Sequence, residues 1–355
     1  MIDTATLTRP RALTRGGRIA AVTLSWGGPG TFPHRYEIGV RQLEAAFGVT
    51  VVPMPHALAD PGWLAANPAA RVDDLHRAFA DPSIDGIVST IGGDDSIRLM
   101  PLLDIDVVRD HPKAFLGFSD TTITHMACLR AGIVSFYGPS IMAGFGENGG
   151  LLPYMERGVR QALFEPTEDI VWPENAEGWT VEFLDWADPS NQEQPRTLRP
   201  CTGWRWLGGD DVAEGPLVAG CLEVLDWLRG SAWWPDLEGA ILAVETSEEQ
   251  PSPEIVRRFF RSLALTGDLV KLAAILFGRP GGSALDPAEH GSYDDAILSV
   301  VRDEQGLDLI PVVTGMDFGH TDPAWTLPIG VRSRVDPRTR TVRMLEPAIV
   351  SESVR

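Results

Sequence analysis

Cysteine is nearly missing from this chain: three among 355 residues, Cys128, Cys201 and Cys221. The odd count and wide spacing exclude a disulfide framework and match no zinc-ligand pattern. The three thiols read as small buried hydrophobes in a reducing compartment. Basic residues are also short, with 30 Lys+Arg against 49 Asp+Glu and a net charge of −19. No Lys/Arg run offsets that charge, which argues against a nucleic acid polymer or an anionic membrane surface as partner. No stretch approaches the ~20 apolar residues of a membrane span. Met1–Trp26 lacks the long apolar core and small-residue cleavage site of a signal peptide, so a cytoplasmic protein is expected. Also missing are G-x-G-x-x-G, the P-loop Lys-Ser/Thr pair, H-E-x-x-H and any Cys/His cluster. Neither a cofactor nor a metal is expected, and Asp94, Asp95 and Asp120 read as solvated loop acids rather than cation ligands.

What is present is an ordinary globular composition, 44% hydrophobic and 22% charged. At about 100–200 residues per domain, the length suggests two domains, and a chain this long buries a core without covalent staples. The first half alternates short apolar runs with amphipathic stretches. Strands are expected at Arg18–Leu24, Val49–Met54, Gly86–Ile91 and Ala114–Phe118. Helices are expected at Tyr36–Phe47, Val72–Ala80 and Thr121–Ala131, with a mixed segment at Ile97–Val108. That alternation implies a parallel sheet covered by helices, an α/β fold. Between 172 and 215 lie Trp172, Trp179, Trp186, Trp204 and Trp206 among Pro, Asn, Gln and Gly. So many tryptophans argue against disorder, and the segment reads as a structured insertion or lid. Beyond it, Ala219–Leu228 and Pro253–Leu265 look helical. Ala240–Val244, Leu272–Phe277 and Ile310–Val313 look like strands, and Val331–Val350 like a hairpin turning at Asp336-Pro337. The expected division is 1–170, 171–214 and 215–355.

Four stretches carry chemistry. In Ala114-Phe-Leu-Gly-Phe-Ser-Asp-Thr-Thr122 a serine follows an apolar strand and a helix begins at once. A sharp strand-to-helix turn lifts such a hydroxyl clear of the sheet and sets it at a helix N-terminus, where free N–H groups favour an oxyanion. G-x-S-x-G itself is not matched, because Thr121 stands at the second Gly. The same residues also suit a plain helix cap. Ser89-Thr-Ile-Gly-Gly-Asp-Asp-Ser96 follows the preceding strand, and parallel strands end at one edge of the sheet, where ligands bind. Gly92 and Gly93 are therefore expected near Ser119, and with the Asp120 N–H they are candidate oxyanion donors. An ordinary glycine turn is the plainer reading. Glu245 ends the strand in Ile241-Leu-Ala-Val-Glu-Thr-Ser-Glu-Glu249, where a carboxylate can hold an imidazole tautomer. Glu248 and Glu249 read as solvated. His320, in Val312-Val-Thr-Gly-Met-Asp-Phe-Gly-His-Thr-Asp-Pro323, combines a loop position with a supporting strand. His34 is a loop alternative, and His125 reads as packed or capping.

In order, these stretches resemble the LD-carboxypeptidase and microcin C self-immunity family of serine peptidases. The likeness extends to Val22-Thr-Leu-Ser-Trp26, Leu102-Leu-Asp104, Pro112-Lys113 and Tyr137-Gly-Pro139. It implies an N-terminal flavodoxin-like α/β domain, a smaller C-terminal α/β domain and a homodimer. It also implies a nucleophile at Ser119, an orienting acid at Glu245 and a base at His320. No cofactor is implied. The Trp179–Trp186 and Gly203–Gly209 stretches resemble the microcin C immunity branch, in which a loop aromatic stacks on the nucleobase of a peptidyl-nucleotide. Trp186 is the candidate here, and packing at the domain seam is its alternative. Asp94 and Cys221 are the other candidate substrate contacts. At Ala219-Gly-Cys-Leu222 the chain departs from the family's Gly-Gly-Asn-Leu, so Cys221 removes an amide. The implied activity is hydrolysis of a peptide-type amide in a peptidyl- or aminoacyl-nucleotide. A carboxypeptidase of muropeptide tetrapeptides and a non-catalytic small-ligand-binding protein are the alternatives.

Overall fold

The computed structural model describes residues 2–351. Five parallel strands build the first sheet: β1 (Arg18–Val22), β2 (Thr50–Pro53), β3 (Gly86–Ser89), β4 (Ala114–Gly117) and β5 (Ser135–Tyr137). Their spatial order, β2-β1-β3-β4-β5, is that of flavodoxin-like folds. β3, β4 and β5 are buried throughout, as expected of parallel strands with helices on both faces. The helices end where their sequence says they should. Pro33–Phe47 stops at Gly48 (φ +69) and Thr122–Ala131 at Gly132 (φ +80), both left-handed caps that glycine takes without strain.

The second sheet has eight strands. β6 (Ile170–Val171) immediately precedes the Trp-rich region and β7 (Arg205–Gly208) lies within it. Then follow β8 (Ala213–Cys221), β9 (Ile241–Glu245), β10 (Ala274–Gly278) and β11 (Val312–Met316). β12 (Leu327–Ile329) comes next, before β13 (Arg332–Asp336) and β14 (Thr341–Met344). The order is β6-β14-β13-β8-β9-β10-β11-β7, parallel from β8 to β11 and antiparallel at both flanks. β12 is the exception. It leaves this half of the chain and pairs antiparallel with β5, at the edge of the first sheet. The two sheets therefore interlock through the chain. Helix Pro253–Thr266 buries Val256, Phe259, Phe260 and Leu263, a stripe at i, i+3, i+4 and i+7.

One helix expectation is corrected. Ala219–Cys221 is the end of β8, and the helix is only Leu222–Trp227. Leu217–Cys221 is buried on both faces, so it shows no alternation, and a continuous apolar run cannot be told from a helix by period alone.

The Trp-rich segment is anchored rather than draped. Trp172, Trp179 and Trp204 are buried. Trp204 Nε1 donates to Asp317 Oδ2 at 2.7 Å, and the Arg279 guanidinium stacks 4.6 Å from the centre of the Trp179 ring. Arg196 pairs with both Glu147 and Asp322 and so ties the segment to each half of the chain.

Candidate active site

The carboxyl ends of the two sets of parallel strands meet at the junction, and the candidate residues lie there. β4 stops at Gly117, and Ser119 takes φ +62, a left-handed conformation uncommon outside glycine, asparagine and aspartate. Such a residue costs about 1–3 kcal/mol and persists only where its surroundings fix it. Here the Ser119 N–H donates to the Tyr137 hydroxyl at 3.0 Å, and the Thr122 hydroxyl donates to Ser119 O at 2.7 Å. A short 3₁₀ turn, Ser119–Thr121, then runs into helix Thr122–Ala131.

The glycine turn after β3 lies against this serine. A Cβ on Gly92 would sit 3.0 Å from Ser119 Oγ and crowd it, so glycine keeps this backbone close to the serine. Gly93 has φ +142, and a Cβ there would strike Ser25 Oγ at 2.4 Å. The amides of Gly92 and Gly93 meet no acceptor among the described residues. Asp120 is not the solvated acid expected from sequence. It is fully buried, and its Oδ2 accepts from the amides of Asp95 (3.1 Å) and Ser96 (2.9 Å), which locks the glycine turn to the serine turn. Asp95 also departs from expectation, since it pairs with the buried Arg71 at 2.6 Å. Asp94 remains exposed beside Gly93, with no partner among the described residues.

Glu245 ends β9 and is fully buried. His320 Nδ1 lies 2.7 Å from its Oε2, so the imidazole donates from Nδ1. Gly319, at φ +93, permits the approach: a Cβ there would fall 2.5 Å from that same Oε2. The Phe118 ring packs 5.0 Å from the imidazole centre, which sets His320 beside the serine turn. Burial alone would lower the pKa of His320, but Glu245 and then Glu248 outweigh it and raise the value well above the usual 6.5.

Tyr137 closes the arrangement. Its hydroxyl accepts from the Ser119 amide and donates to Glu245 Oε1. The sequence pattern assigns Tyr137 no role, although Tyr137 pairs with Gly117 across β4 and β5 at the same strand edge. Tyr137→Phe strands a buried amide and a buried carboxylate oxygen. An expected loss of about 1–3 kcal/mol in stability is read by denaturant unfolding, and an unchanged midpoint contradicts it.

No hydrogen bond joins Ser119 Oγ to His320 in this conformation. Glu248 Oε2 instead lies 3.0 Å from His320 Nε2, off the N–H axis, as an ion-pair contact without an aligned hydrogen bond. Glu248 is exposed, as its sequence suggested, yet it is not simply solvated. Its contact with His320 pulls its pKa down to about 2.

The rival histidines are engaged elsewhere. His34 Nε2 donates to Trp186 O at 2.8 Å. His125 donates from Nε2 to Gly117 O and accepts at Nδ1 from Ser135, and burial lowers its pKa to about 4. Cys221 ends β8 opposite Glu245 in register; its thiol is buried, and burial beside Glu245 and Glu223 keeps it protonated. Trp186 is half-buried, edge-on to Phe32 and 4.6 Å from the Arg35 guanidinium. Phe183 beside it is exposed. Among the described residues no cluster of His, Cys, Asp and Glu could hold a metal, and no helix is long and apolar enough to cross a membrane.

Residues 19–138 match the LD-carboxypeptidase N-terminal domain, and residues 214–335 match the LD-carboxypeptidase C-terminal domain. The chain belongs to the LD-carboxypeptidase family of peptidases. It is 30% identical to the Microcin C7 self-immunity protein MccF of Escherichia coli, over 79% of this chain and 80% of that protein. A probable murein peptide carboxypeptidase of Bacillus subtilis is 25% identical, over 94% of this chain and 93% of that one. An MccF-like protein of Streptococcus pneumoniae, solved with AMP, superposes with a TM-score of 0.82 at 32% identity, covering 93% and 98% of the two chains. MccF itself has been solved with aspartyl sulfamoyl adenosine and with glutamyl sulfamoyl guanosine. It has also been solved as an active-site mutant in which a serine, an asparagine and a lysine become alanine.

Proposed function

We propose that the protein hydrolyses a peptide-type amide through a Ser119 acyl-enzyme, with His320 as base and Glu245 as the acid that orients it. The observation that carries this reading is the linked set at the junction: a strained serine, an imidazole held at Nδ1 by a buried carboxylate, and Tyr137 joining the two. In the cycle, His320 Nε2 takes the Ser119 proton as Oγ attacks the carbonyl. The amides of Gly92, Gly93 and Asp120 face the oxyanion, and His320 protonates the leaving amine. Water then attacks the acyl-enzyme, giving up its proton to His320, and the acid leaves as Ser119 recovers its hydrogen. Each turnover consumes one water and yields one acid and one amine. The step requires the Glu248 carboxylate to leave Nε2, so that this nitrogen is free to take the Ser119 proton.

The substrate class favoured is an aminoacyl- or peptidyl-nucleotide. The half-buried Trp186 and the exposed Phe183 beside it are the aromatic side chains of this loop that a base could stack on, and stacking of a base is worth about 1–3 kcal/mol. The relatives solved with AMP and with aminoacyl sulfamoyl nucleosides support this reading. The serine, asparagine and lysine altered in the MccF mutant are spaced along that chain as Ser119, Cys221 and Glu248 are spaced here. A carboxypeptidase of murein peptides is the second reading, supported by the Bacillus relative. Side-by-side assays with an aminoacyl sulfamoyl adenosine and a murein tetrapeptide separate them. Turnover of the tetrapeptide alone would overturn the nucleotide reading.

The base works only when neutral. With its pKa raised above 6.5, kcat/KM should climb with pH along a limb lying above that value. The same shift stabilises the fold fully below the unfolded value near 6.5, and that gain is lost as pH rises through the raised pKa. A pH–rate profile whose acid limb sits at or below 6.5 contradicts this.

A further inference from the structure

The nitrogen assigned to take the Ser119 proton is occupied by a carboxylate. Glu248 reaches to 3.0 Å from His320 Nε2, with its side chain 72% exposed while that of His320 is 6% exposed. It lies on the loop after β9, one residue from a fixed point. The Ser247 amide (3.1 Å) and hydroxyl (2.6 Å) both donate to Glu223 Oε1. The loop backbone also presses on Gly281, where a Cβ would stand 2.9 Å from Thr246 O. Glu248 is therefore carried by a braced loop, with only its side chain free to swing. The charged groups acting on His320 are Glu245 and Glu248, both acids. Of these, Glu245 is held by Tyr137 and His320, whereas among the described residues the only side chain that pairs with Glu248 is the imidazole.

We propose that Glu248 determines specificity for the acyl group, favouring a substrate that carries positive charge close to the scissile carbonyl. A cationic acyl side chain gives the Glu248 carboxylate a new partner, and the carboxylate leaves Nε2 free to face Ser119. An anionic acyl group is repelled, and it also leaves Glu248 on the base. Attraction to one ligand and repulsion of the other together make the discrimination. MccF, with a lysine among its altered active-site residues, has been solved with aspartyl and glutamyl conjugates. A glutamate at the equally spaced position calls for the opposite charge. The proposal rests on the Ser119 hydrolase reading for its consequence in turnover, but it can be tested in binding alone.

The test uses lysyl and glutamyl sulfamoyl adenosine as matched ligands, with affinities measured by calorimetry on the full-length Ser119→Ala protein. The lysyl conjugate should bind about tenfold more tightly than the glutamyl one, the scale of a partly exposed charge pair gained against one repelled. Adding Glu248→Gln should bring the ratio close to one, and Glu248→Lys should reverse it. Melting curves show that each variant is folded, and a merely structural role for Glu248 would weaken both ligands alike. Equal affinities in the Ser119→Ala parent, a glutamyl preference, or a ratio untouched by Glu248→Gln overturns the proposal. Absent turnover by the wild-type chain with the affinity ratio intact refutes the Ser119 mechanism and leaves the role of Glu248 in binding standing.

Discussion

Ser119→Ala should fold as the wild type does and lose amide hydrolysis by about 10⁴–10⁶-fold, the range seen when a nucleophile is removed from a serine hydrolase. The structure explains why the two effects separate. The Ser119 hydroxyl makes no hydrogen bond among the described residues, so its removal leaves no buried group unpaired. The contacts that fix the strained turn run through the Ser119 amide and carbonyl, which alanine keeps. Activity is read as kcat/KM on an aminoacyl sulfamoyl adenosine, and folding as the thermal midpoint. Turnover near that of wild type removes Ser119 as nucleophile.

Glu245→Gln should cost nearly as much, about 10⁴-fold in kcat, by analogy with loss of the orienting carboxylate in serine proteases. The change is nearly isosteric, so packing around Gly278 and Gly319 survives. What changes is charge and tautomer. An amide set with its NH₂ toward Nδ1 favours the ring that carries its proton on Nε2, the nitrogen that must accept. The pKa of His320 also loses its leading upward cause and falls. The acid limb of the pH–rate profile should therefore move to lower pH even as the maximum rate collapses. A rate loss with no movement of that limb would mean that Glu245 acts only through packing.

Much of this arrangement was legible in the sequence because strand ends in parallel sheets share an edge. Ser119, the Gly92–Gly93 turn, Glu245 and His320 each follow an apolar run, and those runs became β4, β3, β9 and β11. The rule that parallel strands point one way puts each of them at the edge of its own sheet, and that Ser119, Glu245 and His320 act together is what the family resemblance implies. Three features were not legible. β5 spans three residues, too few for any period to show, so Tyr137 gave no sign that it would join Ser119 to Glu245. Asp120 looked like any loop acid, since its burial depends on amides of Asp95 and Ser96 that lie distant in sequence. Glu248 and Glu249 are indistinguishable as letters, and only the turn of the loop after β9 points the first at His320. The tryptophans of 172–206 show a middle case. Their number revealed an ordered segment, but which of them would be core (Trp172, Trp179, Trp204) and which would stay half-buried against Phe32 and Arg35 (Trp186) depends on tertiary packing.

The most direct test of the proposed mechanism is intact and peptide mass spectrometry after treatment with a serine-directed phosphonate. The expected result is a single adduct on Ser119, absent from Ser119→Ala and formed far more slowly by Glu245→Gln. An unlabelled wild-type protein, or an adduct on a different residue, would contradict it.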